Sequence, residues 1–528
     1  MVLWHINKKW SLICYKSFIT LILCSLFFSC TEEDNPIQQD PVLEKIVFRA
    51  VDNKGFEQDY SFDVSKNDTL VSLVIRGLKN KKGLIPYFIG DFDRIKFEDK
   101  EDIVSGQSAI DFDSILAINI YKGNKSKSLK ILLKGYNGLP IISIETNNKE
   151  PINSKTDYVE STIKIENTDS GDILELSGKV RGRGNASWKN FPKKPYRIKF
   201  SEKVSPFGFP LNKDWILLAD YTDKSLLRTA YMSDISKAVK LDFSINYKHV
   251  ELYVNDEYLG IYQMVDKVEK AKNRINIEND GFIIEDDTYY FEEPYYFTTN
   301  IGQRHYTFKY PDIDDASDKS NNEASLNYME KYVNDTEESL LRLETDSLDL
   351  NYQNFIDLES FAKWFIVAEL TGNLDPNLFY VLPSRNGKLK MMPLWDSEWS
   401  LGLACKGNKA NTYGWFFYPS HGPMLPTEPF WGDQLCFKYL FKSPSFLERV
   451  KIIWQSSYNN VVDAQNRLKD LKSTLVYAQE DNFNKWQILD KYLGGTLIVC
   501  GGWNDEVEYV ENWLSDRIIW FNSYVNQL

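Results

Sequence analysis

Two aspartates stand within the stretch E-L-T-G-N-L-D-P-N-L-F-Y-V-L-P-S-R-N-G-K-L-K-M-M-P-L-W-D-S-E-W-S-L-G, residues 369–402. Asp375 stands in a loop before Pro376, and Asp396 follows an expected strand. A hairpin that starts with one Asp and ends with another can bring both to one end. One Asp could then take a proton from a hydroxyl while the other holds a metal. The same residues also suit a turn cap at Asp375 and an Asx-turn at Asp396. A second set is cationic: Arg181-Gly182-Arg183-Gly184-Asn185-Ala186-Ser187-Trp188, then Phe191-Pro192-Lys193-Lys194-Pro195. Two glycines let backbone approach an anion closely, and Arg and Lys supply charge. That suits a phosphate cradle followed by a phosphate-pairing lysine. A hairpin with turn glycines and a solvated basic patch is the alternative, and the spacing is not G-x-G-x-x-G.

These residues need elements to position them. Phe355, Leu358, Phe361, Ala362 and Phe365 recur at helical spacing, and Gly372-Asn373 gives a helix stop. Leu378 to Leu382 predicts a strand, Ser384-Arg385-Asn386-Gly387 a turn, and Leu389 to Leu394 a returning strand. The basic loop is predicted to lie between strands Ile173 to Val180 and Tyr196 to Phe200. Val250, Leu252 and Val254 alternate before the Asn255-Asp256 turn, and Leu259 to Met264 returns, a hairpin pattern. Asp266 and Glu269 follow it, placed either to pair a lysine or to make surface ion pairs. Gly281 to Asp287 reads as a buried strand running into three acids, and Phe308 to Asp312 as a strand with a central Lys. Asp312 to Asn322 is polar and acidic and reads as a mobile loop or linker, and Glu323 to Leu343 and Leu358 to Leu370 as helices. Val507, Val510, Trp513, Leu514, Ile518, Phe521 and Val525 share one face of a long C-terminal helix.

The whole chain narrows the choices. At 528 residues, two or three domains are expected, and 43% hydrophobic with 14% aromatic residues can fill packed cores. A net charge of −13 argues against a nucleic-acid binder held by phosphate contacts. The 4 His are scattered, and the 6 Cys include no C-x-x-C pair, so zinc is not expected. Lys8, Lys9 and Lys16 precede the apolar run Phe18 to Phe28, which Ser29-Cys30 closes. This resembles a bacterial lipoprotein signal in which Cys30 is lipidated; a plain signal peptide or an uncleaved anchor is the alternative. Thr31-Glu32-Glu33-Asp34 resembles the surface-export signal of some Gram-negative lipoproteins, or is a solvated linker. Of Cys405, Cys436 and Cys500, at most one pair can form a disulfide. Residues 43–137 alternate short apolar runs (Ile46 to Phe48, Leu70 to Ile75, Ile115 to Ile120, Leu129 to Leu133) with polar turns, as in a small β-sandwich. The texture changes near Gly138.

The order R-G-R-G-N-A-S-W…P-K-K-P-Y-R-I-K-F, L-L-A-D-Y-T-D-K-S-L-L-R-T-A, V-E-L-Y-V-N-D-E-Y-L-G-I-Y-Q, E-L-T-G-N-L-D-P-N and P-L-W-D-S-E-W-S-L-G resembles the CotH family of spore-coat protein kinases. The resemblance implies an α+β fold: an atypical two-lobed protein-kinase-like domain over 138–528. A leader (1–30), a tether (31–42) and the β-sandwich-like module (43–137) would precede it. It implies ATP, with Mg2+ or Mn2+, as cofactors, and transfer of phosphate to a Ser or Thr hydroxyl on an extracytoplasmic protein. Lys193, or its neighbour Lys194, would contact the ATP phosphates, with Arg181, Arg183 and Asn185 on the phosphate-side loop. Asp375 matches the catalytic acid of the N-x-D motif, and Asp396 the metal-binding Asp, with Glu398 where the family usually has a second Asp. Asp266 stands where the family usually has Glu, and Asp223 and Arg228 match a further motif of structural or phosphate-facing role. The implied setting is the outer-membrane surface of a Gram-negative bacterium, reached through lipidated Cys30. The alternative is an inactive surface lipoprotein of this fold that binds a protein or glycan. Trp395, Trp399, Trp415, Phe416, Phe417, Tyr418 and Trp431 would be its contact aromatics, unless they pack the core.

Overall fold

The computed structural model describes residues 39–528 except 57, 79, 98–100, 168–170, 314–315, 374–375, 404–411, 417–434, 495 and 497. Cys30 and its leader, the acidic run after it, Asp375, Cys405, Phe417, Tyr418 and Trp431 therefore lie outside the described residues. The chain divides into two compact units, Met1–Gly135 and Tyr136–Leu528. The fold is mixed α+β.

The first unit holds β1 (Val42–Phe48), β2 (Tyr60–Asp63), β3 (Leu70–Arg76), β4 (Pro86–Asp91), β5 (Arg94–Phe97), β6 (Glu101–Ile103), β7 (Leu116–Lys122) and β8 (Lys125–Tyr136). They form two sheets, β2-β1-β4 and β3-β8-β7-β5-β6. Period-2 alternation buries Leu116, Ile118 and Ile120 of β7, and Leu129, Ile131 and Leu133 of β8. Ile46 and Phe48 of the other sheet enter the same core.

The second unit opens with a closed barrel, in the order β10-β11-β12-β13-β15-β14-β9. Its strands are β9 (Ile141–Thr146), β10 (Val159–Asn167), β11 (Asp172–Gly182), β12 (Tyr196–Val204), β13 (Asn212–Leu218), β14 (Tyr247–Val254) and β15 (Glu257–Asp266). Closure comes from the parallel pairing of β14 with β9. Part of the wall is apolar on both faces. Trp215 and Leu217 of β13, with Tyr262 and Met264 of β15, fill the barrel. The alternate residues Ile216, Ile261 and Val265 join the large core outside it. Such strands read as continuous hydrophobic runs because neither face meets water.

A second sheet, β17-β18-β16-β19-β20, uses β16 (Phe282–Asp286), β17 (Tyr296–Thr298), β18 (His305–Tyr310), β19 (Leu378–Leu382) and β20 (Lys390–Met391). The expected strand Leu389 to Leu394 is reduced to these two residues of β20, followed by Pro393, which has no N–H for a ladder. The helices among the described residues are α1 (Ala186–Asn190), α2 (Arg228–Ala238), α3 (Ala316–Leu341), α4 (Leu358–Thr371), α5 (Leu435–Leu440), α6 (Pro444–Leu475), α7 (Ala478–Lys485) and α8 (Trp503–Tyr524). The mobile loop expected up to Asn322 is instead the first turns of α3. Its buried stripe starts only at Leu326, so nothing apolar marks that exposed beginning. None of the described helices is long and apolar enough to cross a membrane.

Helix α4 is the centre of the large core. Asp357 caps its first turn by accepting from Ser360 N, and Gly372, at φ 56°, ends it. Phe365 packs against Phe437, Phe441 and Phe446 and is fully buried. Phe365→Ala should cost about 3–5 kcal/mol, the range for a buried aromatic deleted to a cavity. Urea unfolding followed by far-UV circular dichroism checks it, and a loss under about 1 kcal/mol would show that the site collapses freely.

Candidate active site

The basic loop joins β11 to β12, which pair Val180 with Ile198 and Gly182 with Tyr196. Gly182 is needed because the Trp188 ring occupies the place of a side chain. Lys193 turns inward and is only 2% exposed. Its ammonium donates to the Ile261 carbonyl and to Asn482 Oδ1, at 3.2 Å for the latter, and lies 4.8 Å from the Tyr262 ring centroid. Asn482 belongs to α7, and its Oδ1 also accepts from Ile261 N at 3.0 Å. That approach requires Gly260 (φ 99°), where a Cβ would strike Asn482 Oδ1. Lys194 instead donates to the Trp188 carbonyl. Burial pushes the Lys193 pKa down to about 7, against the pull of Asp220, Glu398 and Asp223.

Those three acids come from two segments tied together. Asp220 follows β13 and accepts from Gln263 Nε2 at 2.9 Å. Burial raises its pKa well above the usual range, and the Glu398 and Asp223 charges add to this. Glu398 accepts from Thr222 N, and Trp399 Nε1 donates to Thr222 Oγ1 at 3.0 Å. Burial raises the Glu398 pKa, and the Thr222 hydrogen bonds oppose it. Asp223 accepts from Ser225 N at 3.0 Å, from Arg228 N at 2.9 Å and from the Arg228 guanidinium. Arg228 Nε in turn donates to the Ser400 carbonyl at 2.9 Å.

Asp396 is exposed and holds a left-handed φ of 60°. Its carbonyl accepts from Asn373 Nδ2 at 3.0 Å. Arg183 sits 5.7 Å from the Trp395 ring centroid. Burial lowers the Arg183 pKa, while Asp396 and Glu285 pull it up. Glu285 on β16 accepts from Asn377 Nδ2 and from Lys309 at 2.9 Å. The chain is thus anchored at Asn373 and at Asn377, on either side of the undescribed Leu374 and Asp375.

Lys193 thus shares charge interactions with Glu398, and Arg183 with Asp396. Asp266 lies in a different network: it accepts from Asn246 N (2.8 Å), Asn246 Nδ2 (2.9 Å) and Arg274 Nε (2.9 Å). Arg181 stacks 5.2 Å from the Tyr158 ring centroid, and Asn185 Oδ1 accepts from Lys155 at 3.1 Å. Sequence reasoning missed Asp220, Asn373 and Asn482. The first two stand inside motifs already singled out, whereas nothing local marks Asn482, 289 residues from its lysine.

Among the described aromatics of the suspected binding cluster, Trp395, Trp415 and Phe416 pack against the large core, and half-buried Trp399 is hydrogen-bonded to Thr222. Trp395 is buried, Trp415 lies 5.0 Å from Trp520, and Phe416 stacks on Trp513 at 6.1 Å. Asp396 and Glu398 offer hard oxygen donors two residues apart. Among the described residues no three His, Cys, Asp or Glu side chains form a metal cage. A magnesium ion bound through one or two carboxylates and completed by substrate phosphates would call on the exposed Asp396 and on Glu398, whose carboxylate also accepts from Thr222 N.

Two consequences are measurable. Asp223→Ala leaves the Arg228 guanidinium buried without its carboxylate, which should cost about 3–5 kcal/mol in urea unfolding. A loss below about 1 kcal/mol would show that the Ser400 carbonyl and Ser225 Oγ, which accepts from the Arg228 guanidinium at 3.3 Å, suffice. His249, 2% exposed, is hydrogen-bonded through Nε2 to the Leu226 carbonyl at 2.7 Å. Burial pushes its pKa from 6.5 down to about 4. Between those values the unfolded chain takes up a proton that the folded protein refuses. Stability therefore falls as pH drops through that window, by on the order of 3 kcal/mol from this residue. His249→Gln should flatten this part of the stability profile, and an unchanged slope would refute the assignment.

A protein-family model described as CotH kinase protein matches residues 180–521. No curated protein matches the chain.

Proposed function

Because the chain belongs to the CotH kinase family, we propose that it transfers the γ-phosphoryl of ATP to a hydroxyl on an extracytoplasmic protein. One observation carries the reading. A buried lysine from the basic loop feels the charges of Asp220, Asp223 and Glu398, on segments tied together next in sequence to the exposed Asp396. Lys193 fixes the phosphates; its ammonium is already held by the Ile261 carbonyl and Asn482. Such advance positioning lowers the reorganisation needed in phosphoryl transfer. Arg183 adds positive charge on the same side, with Arg181, Asn185 and Lys194 as the outer part of the loop. Asp396 and Glu398 would hold magnesium or manganese, which neutralises charge on the transferring group. The extra methylene of Glu398 is matched by its hydrogen bond to Thr222 N. Asp375, from the family motif, orients or deprotonates the acceptor hydroxyl. Asp266 acts at a distance, by fixing Arg274 and Asn246 at the barrel end.

In this reading the barrel β9–β15 is the small lobe and the helices around α4 form the large one. The first unit is a sandwich-like spacer, and lipidated Cys30 tethers the protein to the outer membrane.

The test is transfer of labelled γ-phosphate from ATP by the chain, with magnesium and with manganese, beside Asp375→Ala and Asp396→Ala. Metal-dependent labelling of the protein or an added substrate, lost in both variants, is expected. No labelling, together with no metal-dependent nucleotide binding, would overturn the proposal.

A further inference from the structure

Outside the acid and lysine cluster, Glu369 near the end of α4 and Arg517 of α8 form a fully buried ion pair, each 0% exposed. Arg517 spends its donors on one region. Nε donates to the Glu369 carbonyl at 3.1 Å, and a terminal nitrogen to the Glu369 carboxylate. The other terminal nitrogen donates to the carbonyls of Thr412 (3.1 Å) and Gly414 (2.6 Å). The guanidinium lies between Phe416 and Trp520, 4.2 and 4.4 Å from their ring centroids. The Glu369 carboxylate also accepts from Phe416 N at 2.6 Å. Apolar residues of similar volume would fill this place without the desolvation cost of two charges. What they would not supply is a directional partner for the Glu369 carbonyl, which otherwise accepts a long bond from Gly372 N at 3.4 Å.

That helix end is where the Asp396 loop docks. Thr371, the last residue of α4, accepts from Leu401 N at 2.7 Å. Asn373, two residues on, donates its side-chain amide to the carbonyl of Asp396 at 3.0 Å. Thr371 and Asn373 are both fully buried. The end of α4 is thus gripped by Arg517 through Glu369, and it presents the donor and acceptor that fix the backbone of residues 396–401.

We propose that the Glu369–Arg517 pair is a positioning device. It sets the end of α4 as the template on which the Asp396 loop is held in its left-handed turn. The catalytic part of this inference rests on the phosphotransfer reading above; the structural part does not. Neither residue is among those assigned above to the phosphates, the metal or the acceptor hydroxyl, so the pair acts through Thr371 and Asn373.

The experiment compares the full chain with a double variant, Glu369→Met with Arg517→Met, and with Arg517→Lys. Hydrogen exchange is read on peptides covering residues 395–403, and steady-state transfer from ATP is measured beside it. The double variant leaves no lone buried charge, but it takes partners from the Thr412 and Gly414 carbonyls and from Phe416 N, so its melting temperature should fall moderately. Exchange at the Leu401 amide should rise, and kcat should fall about tenfold or more while KM for ATP stays within about twofold. Arg517→Lys, which keeps the charge and loses the planar fork, should recover part of kcat. Unchanged exchange over 395–403 overturns the proposal, as does an unchanged kcat in an active parent chain. A parent chain that transfers no phosphate removes the kinase reading instead, and exchange alone then decides the positioning role. If the double variant does not fold, Arg517→Lys carries both readouts, with exchange above and kcat below the parent values expected.

Discussion

Arg228 has no access to water, so its guanidinium must find its partners inside the protein. It finds the Asp223 carboxylate five residues back and the Ser400 carbonyl 172 residues on. A charge buried this way cannot lose one partner cheaply, because the remaining one is left unpaired in a low dielectric. The segment after β13 and the loop after β20 are therefore held as one body. Other contacts converge on the same segment. Trp503 of α8 donates to the Ser225 carbonyl at 3.1 Å, and buried Lys224 donates to the carbonyls of Leu489 and Lys491. The C-terminal part of the chain is thereby attached to the same few residues that carry Asp220 and Asp223.

The barrel supplies the other half of the arrangement. Strand parity on β13 and β15 sends Trp215, Leu217, Tyr262 and Met264 inward and Ile216, Ile261 and Val265 outward. Two packed faces leave these strands little room to slip, since a one-residue shift would exchange both sets. The carbonyl of Ile261 is thus a fixed acceptor for Lys193. Asn482 on α7 completes the hold from outside the barrel, and Gly260 makes its approach sterically allowed. A lysine in this position keeps its place through backbone geometry and one amide, while three carboxylates act on its charge.

Much of this was legible beforehand for a physical reason. Helix α4 declares itself through a 3.6-residue apolar period and a Gly stop, both local signals, while its Asp357 cap emerged only in the fold. The β14–β15 hairpin does so through alternation about Asn255-Asp256. The start of α3 does not, because its first turns are polar and exposed. Pairing choices were less visible still. Asp266 stands beside a hairpin in a motif, yet it is claimed by Arg274 and Asn246. Lys193 and Lys194 are neighbours of one type, and only packing against Trp188, Tyr262 and α7 sends one inward and the other to a carbonyl.

The amino-acid sequence by itself determined the elements, the order of the motifs and the family. Each of these is written in residue types and short spacings: apolar periods, turn residues and runs such as R-G-R-G-N-A-S-W. Only the tertiary structure decided which charges meet. Asp220 with Gln263, Lys193 with Asn482, Arg228 with Ser400 and Glu369 with Arg517 are contacts across tens to hundreds of residues. Their free energy depends on burial and on the exact placement of backbone carbonyls. Neither quantity exists until the barrel and the helical core have closed around them.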